Sequence, residues 1–261
     1  MRIIALLLGL SLVLAGGIRG ESLSADSFYK AAFPLPQPDI ATIAERAQGL
    51  GFWIRIEQGF NVTYLHGAEL CNTCLPEDEE SFFGLPQLYL DGELFLVRLA
   101  EERYRMNVRP SAEKARMYEV IVRPITKLKR AEVEQEALGW LRRLGIVQTA
   151  SLDFIELVPE EKPRPPAGLR LDSLLYALTL APDWHDFARE RGLALFGMRI
   201  KVIVELASPD AVLQGYHLIE EARSENLMRV LVPVSELLRL AEDPAAGFVR
   251  LPYVPHEAEG G

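Results

Sequence analysis

The chain has 261 residues, a net charge of −9 and 49% hydrophobic residues. That acidic balance opposes nucleic-acid phosphates and anionic lipid as partners, while the hydrophobic share is enough for real cores. The first twenty residues set the compartment. Met1-Arg2 is followed by an apolar run from Ile3 to Ala15 and then by Gly16, Gly17 and Gly20. Charge, apolar run and small residues in that order read as a secretory signal peptide over residues 1–20. The run falls short of the ~20 apolar residues that span a bilayer, so no stable span is expected after cleavage. Removal takes away Arg2, Arg19 and no acid, leaving 37 acids against 26 bases, a net of −11. A secreted or periplasmic protein is expected.

Residues 22–39 read as irregular, because Pro34, Pro36 and Pro38 each remove a donor and restrict the preceding residue. Asp39 caps a helix to about Gln48 with Ile40, Ile43, Ala44 and Ala47 on one face, stopped at Gly49 and Gly51. Phe52–Glu57 and Asn61–His66 read as strands around Gln58-Gly59. A loop over 67–84 follows, carrying both cysteines. Leu88–Leu90 and Leu94–Val97 flank Asp91-Gly92, a strong hairpin signal. Tyr118–Val122 is a strand ended by Pro124. Lys129–Leu144 is an amphipathic helix with Val133, Ala137, Trp140, Leu141 and Leu144 on one stripe, closed by Gly145. Residues 147–158 return as extended chain.

Residues 158–168 hold four prolines among charges and read as a semi-rigid boundary. Beyond it, Asp172 caps a helix carrying Leu174, Leu175, Leu178 and Leu180. A second helix runs from Asp183 to Arg191. Arg199–Leu206 is a strand, Ser208-Pro209-Asp210 starts one helical turn, and His217–Ala222 with Leu227–Val232 forms a hairpin. A helix over Glu236–Ala241 and a strand over Phe248–Leu251 complete the order of a split β-α-β. The expected fold class is therefore α+β: two small modules, with a ferredoxin-like split β-α-β sandwich at the C-terminus. The expected division is an N-terminal module over 21–157, a Pro-rich linker over 158–168, a C-terminal module over 169–255 and a tail over 256–261.

Segments Leu169–Leu175, Arg199–Glu205, Val230–Leu238 and Gly247–Pro252 together resemble a propeptide-like module that accompanies bacterial secreted subtilisin-like serine proteases. The resemblance covers about one third of the chain. It implies a packing or binding module, by likeness of layout alone. No Gly-Thr-Ser-x-Ala-type nucleophile segment occurs in these 261 residues, and no catalytic residue carries over.

Cys71-Asn72-Thr73-Cys74 is the one chemical motif. In an exported chain with two cysteines, a disulfide between Cys71 and Cys74 is expected. Redox catalysis would need a stabilised thiolate, and Glu69 with Glu77, Asp78, Glu79 and Glu80 opposes one. Zinc lacks ligands beyond His66, and Leu75 after Cys74 excludes haem attachment. The acidic run lacks the Asp/Asn-Gly spacing of a calcium loop and reads as solvated. Asp183, His185 and Asp186 cluster, but Trp184 and Phe187 make this an amphipathic helix start with Asp183 as cap. His217 and His256 show no partner. Asn61-Val62-Thr63 matches the glycosylation pattern by chance, and the N-terminal aromatics such as Phe52 and Tyr89 read as core rather than groove. No catalytic residue, cofactor or metal is expected. The leading reading is a secreted, non-enzymatic binding or accessory protein whose partner is a protein, either a protease or an envelope component. The alternatives are a thiol-disulfide oxidoreductase using Cys71 and Cys74, and a propeptide-like protease inhibitor or folding helper.

Overall fold

The computed structural model describes residues 27–67, 69–70, 84–158, 160 and 162–252. The signal segment, Cys71, Cys74, the acidic run and His256 lie outside these residues. Among the described residues the protein is mostly β, with a nine-stranded mixed sheet, a second sheet of five strands and five short helices.

The large sheet takes β1 (Phe28–Pro34), β2 (Trp53–Gln58), β3 (Asn61–His66), β4 (Glu69–Leu70), β5 (Gln87–Asp91), β6 (Leu94–Ala100), β7 (Tyr104–Pro110), β8 (Met117–Pro124) and β9 (Ile155–Leu157). Their order is β4-β3-β2-β5-β6-β7-β8-β1-β9. Only β2 and β5 run parallel; the other neighbours are antiparallel. The Asp91-Gly92 hairpin forms as expected, with Gly92 at φ +58°. Strands β1, β4 and β7 of this sheet were not expected. Pro34 is tolerated because it is the last residue of β1, where losing a donor costs little. Strand β7 alternates Tyr104, Met106 and Val108 with Arg105, Asn107 and Arg109.

That alternation gives the sheet two unlike faces. One face buries Tyr29, Ile54, Leu88, Phe95, Val97, Met106, Val120 and Val122 under α1 (Ile40–Gly49) and α2 (Arg130–Arg143). Asp39 caps α1 by accepting from the Thr42 N–H at 3.0 Å. The periodic stripe of α2 is the buried one, with Val133, Ala137 and Leu141 inaccessible. The other face carries charge and is covered by the rest of the chain.

The expected pair of small α+β modules with a ferredoxin-like sandwich is not what forms. The second sheet contains β10 (Leu195–Phe196), β11 (Arg199–Leu206), β12 (Ile219–Ser224), β13 (Leu227–Pro233) and β14 (Ala246–Arg250). Strands β10 and β14 share one edge of β11, and β13 then β12 lie on its other side. Residues 207–218, which join β11 to β12, contain no helix, so the sandwich lacks its first helical crossover. Helices α3 (Ser173–Leu180), α4 (Trp184–Glu190) and α5 (Leu237–Glu242) supply the apolar cover instead, through Leu175, Leu178, Trp184, Leu237 and Leu240. Two of those helices come before the sheet in sequence. Moreover, this second core includes Tyr89 and Leu96 of the large sheet. The two layers are therefore packed against each other.

The β10–β11 turn locks the layers together. Gly197 has φ +60°, and a Cβ there would lie 1.6 Å from Oε1 of Glu57 on β2. Glu57 cannot easily retreat, being buried and held by Arg55 Nε at 2.6 Å. Gly197→Ala is expected to destabilise the fold by about 3 kcal/mol, combining the left-handed penalty with overpacking. Urea unfolding measures it. A loss below about 1 kcal/mol would show that the turn does not seat against Glu57.

Candidate functional site

The face of the large sheet that meets the second layer presents Lys30, Arg55, Glu57, Asp91, Arg98, Arg109 and Glu119 at positions that alternate with the apolar ones. Burying a charge is costly unless it is paired, and three groups of partners answer that cost. In the first, Arg199 of β11 reaches Asp91 at 2.7 Å and Glu57 at 3.9 Å. Burial raises the pKa of both Glu57 and Asp91, and the facing arginines only partly offset it.

In the second, Arg98 on β6 pairs with Asp183 at 3.1 Å and Asp186 at 3.3 Å. The Asn107 amide also donates to Asp183, at 3.0 Å. The other oxygen of Asp183 caps α4, accepting from the backbone N–H groups of His185 and Asp186. Burial opposes ionisation of Asp183, yet Arg98, His185 and these hydrogen bonds together hold its carboxyl well below the usual range. The expected capping role is thus correct, and Asp183 has a second role as the anchor of the layer interface. His185 tilts over the Tyr89 ring at 5.0 Å, with Nδ1 buried and without a hydrogen-bond partner among the described residues. Burial, then the Arg98 charge, push its pKa down to about 3.

In the third, Glu119 on β8 receives Lys30 of β1 at 2.9 Å, Arg109 of β7 at 3.5 Å and the Ser111 hydroxyl at 2.8 Å. Burial alone would raise the Glu119 pKa, but Arg109 and Lys30 overcome it and the carboxyl is held low. Arg109 also donates to the Ala181 carbonyl at 2.5 Å, and its guanidinium lies 4.5 Å from the Trp184 ring centroid. Lys30, Arg109 and Glu119 form the floor of a cleft of about 460 Å³ between the sheet and α3–α4. Leu174, Ala177, Leu180 and Phe187 line it, and Val158, Glu160 and Lys162 of the proline-rich segment stand at its margin. A neighbouring hollow of about 450 Å³ continues it past Arg105, Asn107 and Arg123, sharing Val158, Ala181, Pro182 and Phe187.

A separate cleft of about 680 Å³ lies where the 111–117 loop meets α5. Here His217, expected to be partnerless, has a partner. Glu236 takes the His217 ring Nδ1 and backbone N–H, each at 2.8 Å, and Arg239 at 3.1 Å. The Glu236 hydrogen bond raises the His217 pKa. His66 stacks on Trp53 at 4.4 Å, far from this chemistry in the sheet order. Among the described residues no group of three or more His, Cys, Asp or Glu is placed to hold a metal ion. No helix among the described residues is long and apolar enough to cross a membrane.

Sequence reasoning missed Lys30, Arg109 and Glu119. Lys30 falls in a stretch that reads as irregular and Arg109 in one with no predicted element; only Glu119 lies in an expected strand, so nothing in the sequence marks the three as neighbours.

His185 gives the interface a pH dependence. Unfolded, it takes up a proton near pH 6.5; folded, not until about 3, so stability is lost as pH falls below 6.5. Asp183, with its folded pKa depressed, adds to that loss only below its ordinary value of 3.8. His217 works the other way: its raised folded pKa contributes stability that is present below 6.5 and lost as pH rises. The contribution of His185 is therefore read against a variant. Between pH 7 and 5 the wild type is expected to lose about 2 kcal/mol more than His185→Gln. Urea midpoints at the two pH values measure this, and equal losses would place a protonatable, accessible ring at position 185.

No protein-family model, no curated protein and no solved structure matches this chain, so none bears on the resemblance of its C-terminal third to protease propeptides.

Proposed function

We propose that this chain is a secreted or periplasmic, non-enzymatic binding or accessory protein, and that its partner's binding group enters the cleft between the large sheet and α3–α4. The observation that carries this reading is the make-up of that cleft. An apolar lining with a few convergent, rigidly held polar groups is the ordinary construction of a binding site at a layer junction. Lys30, Glu119 and Arg109 are fixed by strands and by one another, so the site needs little ordering when it is filled. In the same reading Cys71 and Cys74 are joined in an oxidising compartment.

Ala177 faces the cleft from α3, and Ala177→Trp would fill it. Wild type and variant are to be used as parallel baits in the periplasm or medium of the native cell. A partner or ligand retained by the wild type and lost by the variant is the expected result. Equal recovery by both would move binding to another surface, and recovery of nothing by either would remove the proposal. A separate measurement checks the compartment. Protein from the native cell, alkylated without reductant, should show a mass lacking the first ~20 residues and no alkylated cysteine. An intact Met1 with two alkylated thiols would overturn export and the disulfide together.

A further inference from the structure

The floor of the cleft carries an unbalanced charge. Lys30 and Arg109 are two cations, and both lean on the single carboxylate of Glu119. The nearest further acid in the interface, Asp183, is committed to Arg98 and Asn107. At the margin, Glu113 and Glu160 balance Lys162 and Arg191. Counted over the described residues that line it, the cleft therefore carries one net positive charge, in a chain whose total is −9. The excess sits among groups largely removed from water, with side-chain exposures of 19% for Lys30, 4% for Arg109 and 3% for Glu119.

Arg109 is poorly served by its surroundings. Its Nε is buried and has no hydrogen-bond partner among the described residues, and burial pushes its pKa below the ordinary arginine value despite Glu119. A buried cation of this kind is stabilised most by a nearby anion. Lys30 is the most exposed of the three floor residues that line the cleft. Above it, the lining is mainly aliphatic and aromatic: Leu174, Ala177, Leu180 and Phe187.

We propose that this cleft binds a small amphipathic organic acid, its single carboxylate seated on Lys30 over the Lys30–Glu119–Arg109 floor and its apolar body against α3 and α4. The assignment rests on the binding reading above and narrows it to one ligand class. A neutral ligand leaves the excess charge uncompensated. A cation adds to it. A dianion brings a second charge into an apolar cleft whose margin is already balanced.

The test is calorimetric titration of the full mature chain with octanoate, dodecanoate and 3-phenylpropanoate, each beside its own primary amide. At least one acid is expected to bind with a stoichiometry of one, at least about tenfold tighter than its amide, and to weaken as salt is added. Lys30→Gln should remove most of the preference for acid over amide, and Ala177→Trp should remove binding of both. The comparison of acid with amide on the wild type stands even if Lys30→Gln fails to fold. Equal binding of acids and amides, or an acid preference that survives in a folded Lys30→Gln protein, overturns the ligand class and leaves the binding reading intact. Binding of none of the six probes overturns the ligand class. Joined with an empty bait experiment, it removes the binding reading as well.

Discussion

The structure depends on one sheet having a charged face that is nevertheless buried. One side of the nine-stranded sheet is an ordinary apolar core under α1 and α2. The other side carries Lys30, Glu57, Asp91, Arg98, Arg109 and Glu119 and is covered by the second layer. Each of those buried charges has a partner placed opposite it, several from the covering layer itself: Asp183, Asp186 and Arg199. Removing one partner of a buried pair typically costs 3–5 kcal/mol. The two layers are therefore joined by ion pairs as well as by apolar burial, in place of the two small α+β modules expected from sequence.

Much of the local structure was legible before the chain was seen folded. The Asp39, Asp172 and Asp183 caps, the Asp91-Gly92 turn and the stripe of α2 each follow from short-range rules, and each is present. What failed was the inference from local order to architecture. The C-terminal strands were read with a helix after Arg199–Leu206, but the chain over 207–218 crosses without one. The covering role fell to α3 and α4, which precede the sheet. Nothing local to Leu175 or Trp184 says which sheet they will cover. β1 was missed because Pro34 and its neighbouring prolines dominate the reading, although the alternation Tyr29, Ala31, Phe33 was present in it.

The candidate site was less legible than the fold, for a related reason. The lysine, arginine and glutamate are 79 and 10 residues apart, and only Glu119 lies in a stretch the sequence marks as a strand; Lys30 sits in a proline-bearing stretch and Arg109 in a segment with no predicted element. Pairing of β1 with β8 and of β8 with β7 brings them side by side. The His217–Glu236 pair is hidden in the same way, because its members lie on either side of the β12–β13 hairpin. Where chemistry is assembled across strands, the register of the sheet carries the information, and register is a property of the whole chain.

The position of β1 has a consequence for how the molecule is made. Its neighbours are β8 and β9, with Tyr29 opposite Val122 and Phe28 opposite Leu157. A ribosome must therefore deliver nearly half of the polypeptide, through Pro124, before this strand meets its first companion, and must reach Leu157 before it meets the second. Pairings this distant in sequence form slowly. The sequence-local pairs, β2 with β3 and β5 through β8, need no such wait, so the first strand of the sheet is the piece that closes onto a framework already laid down.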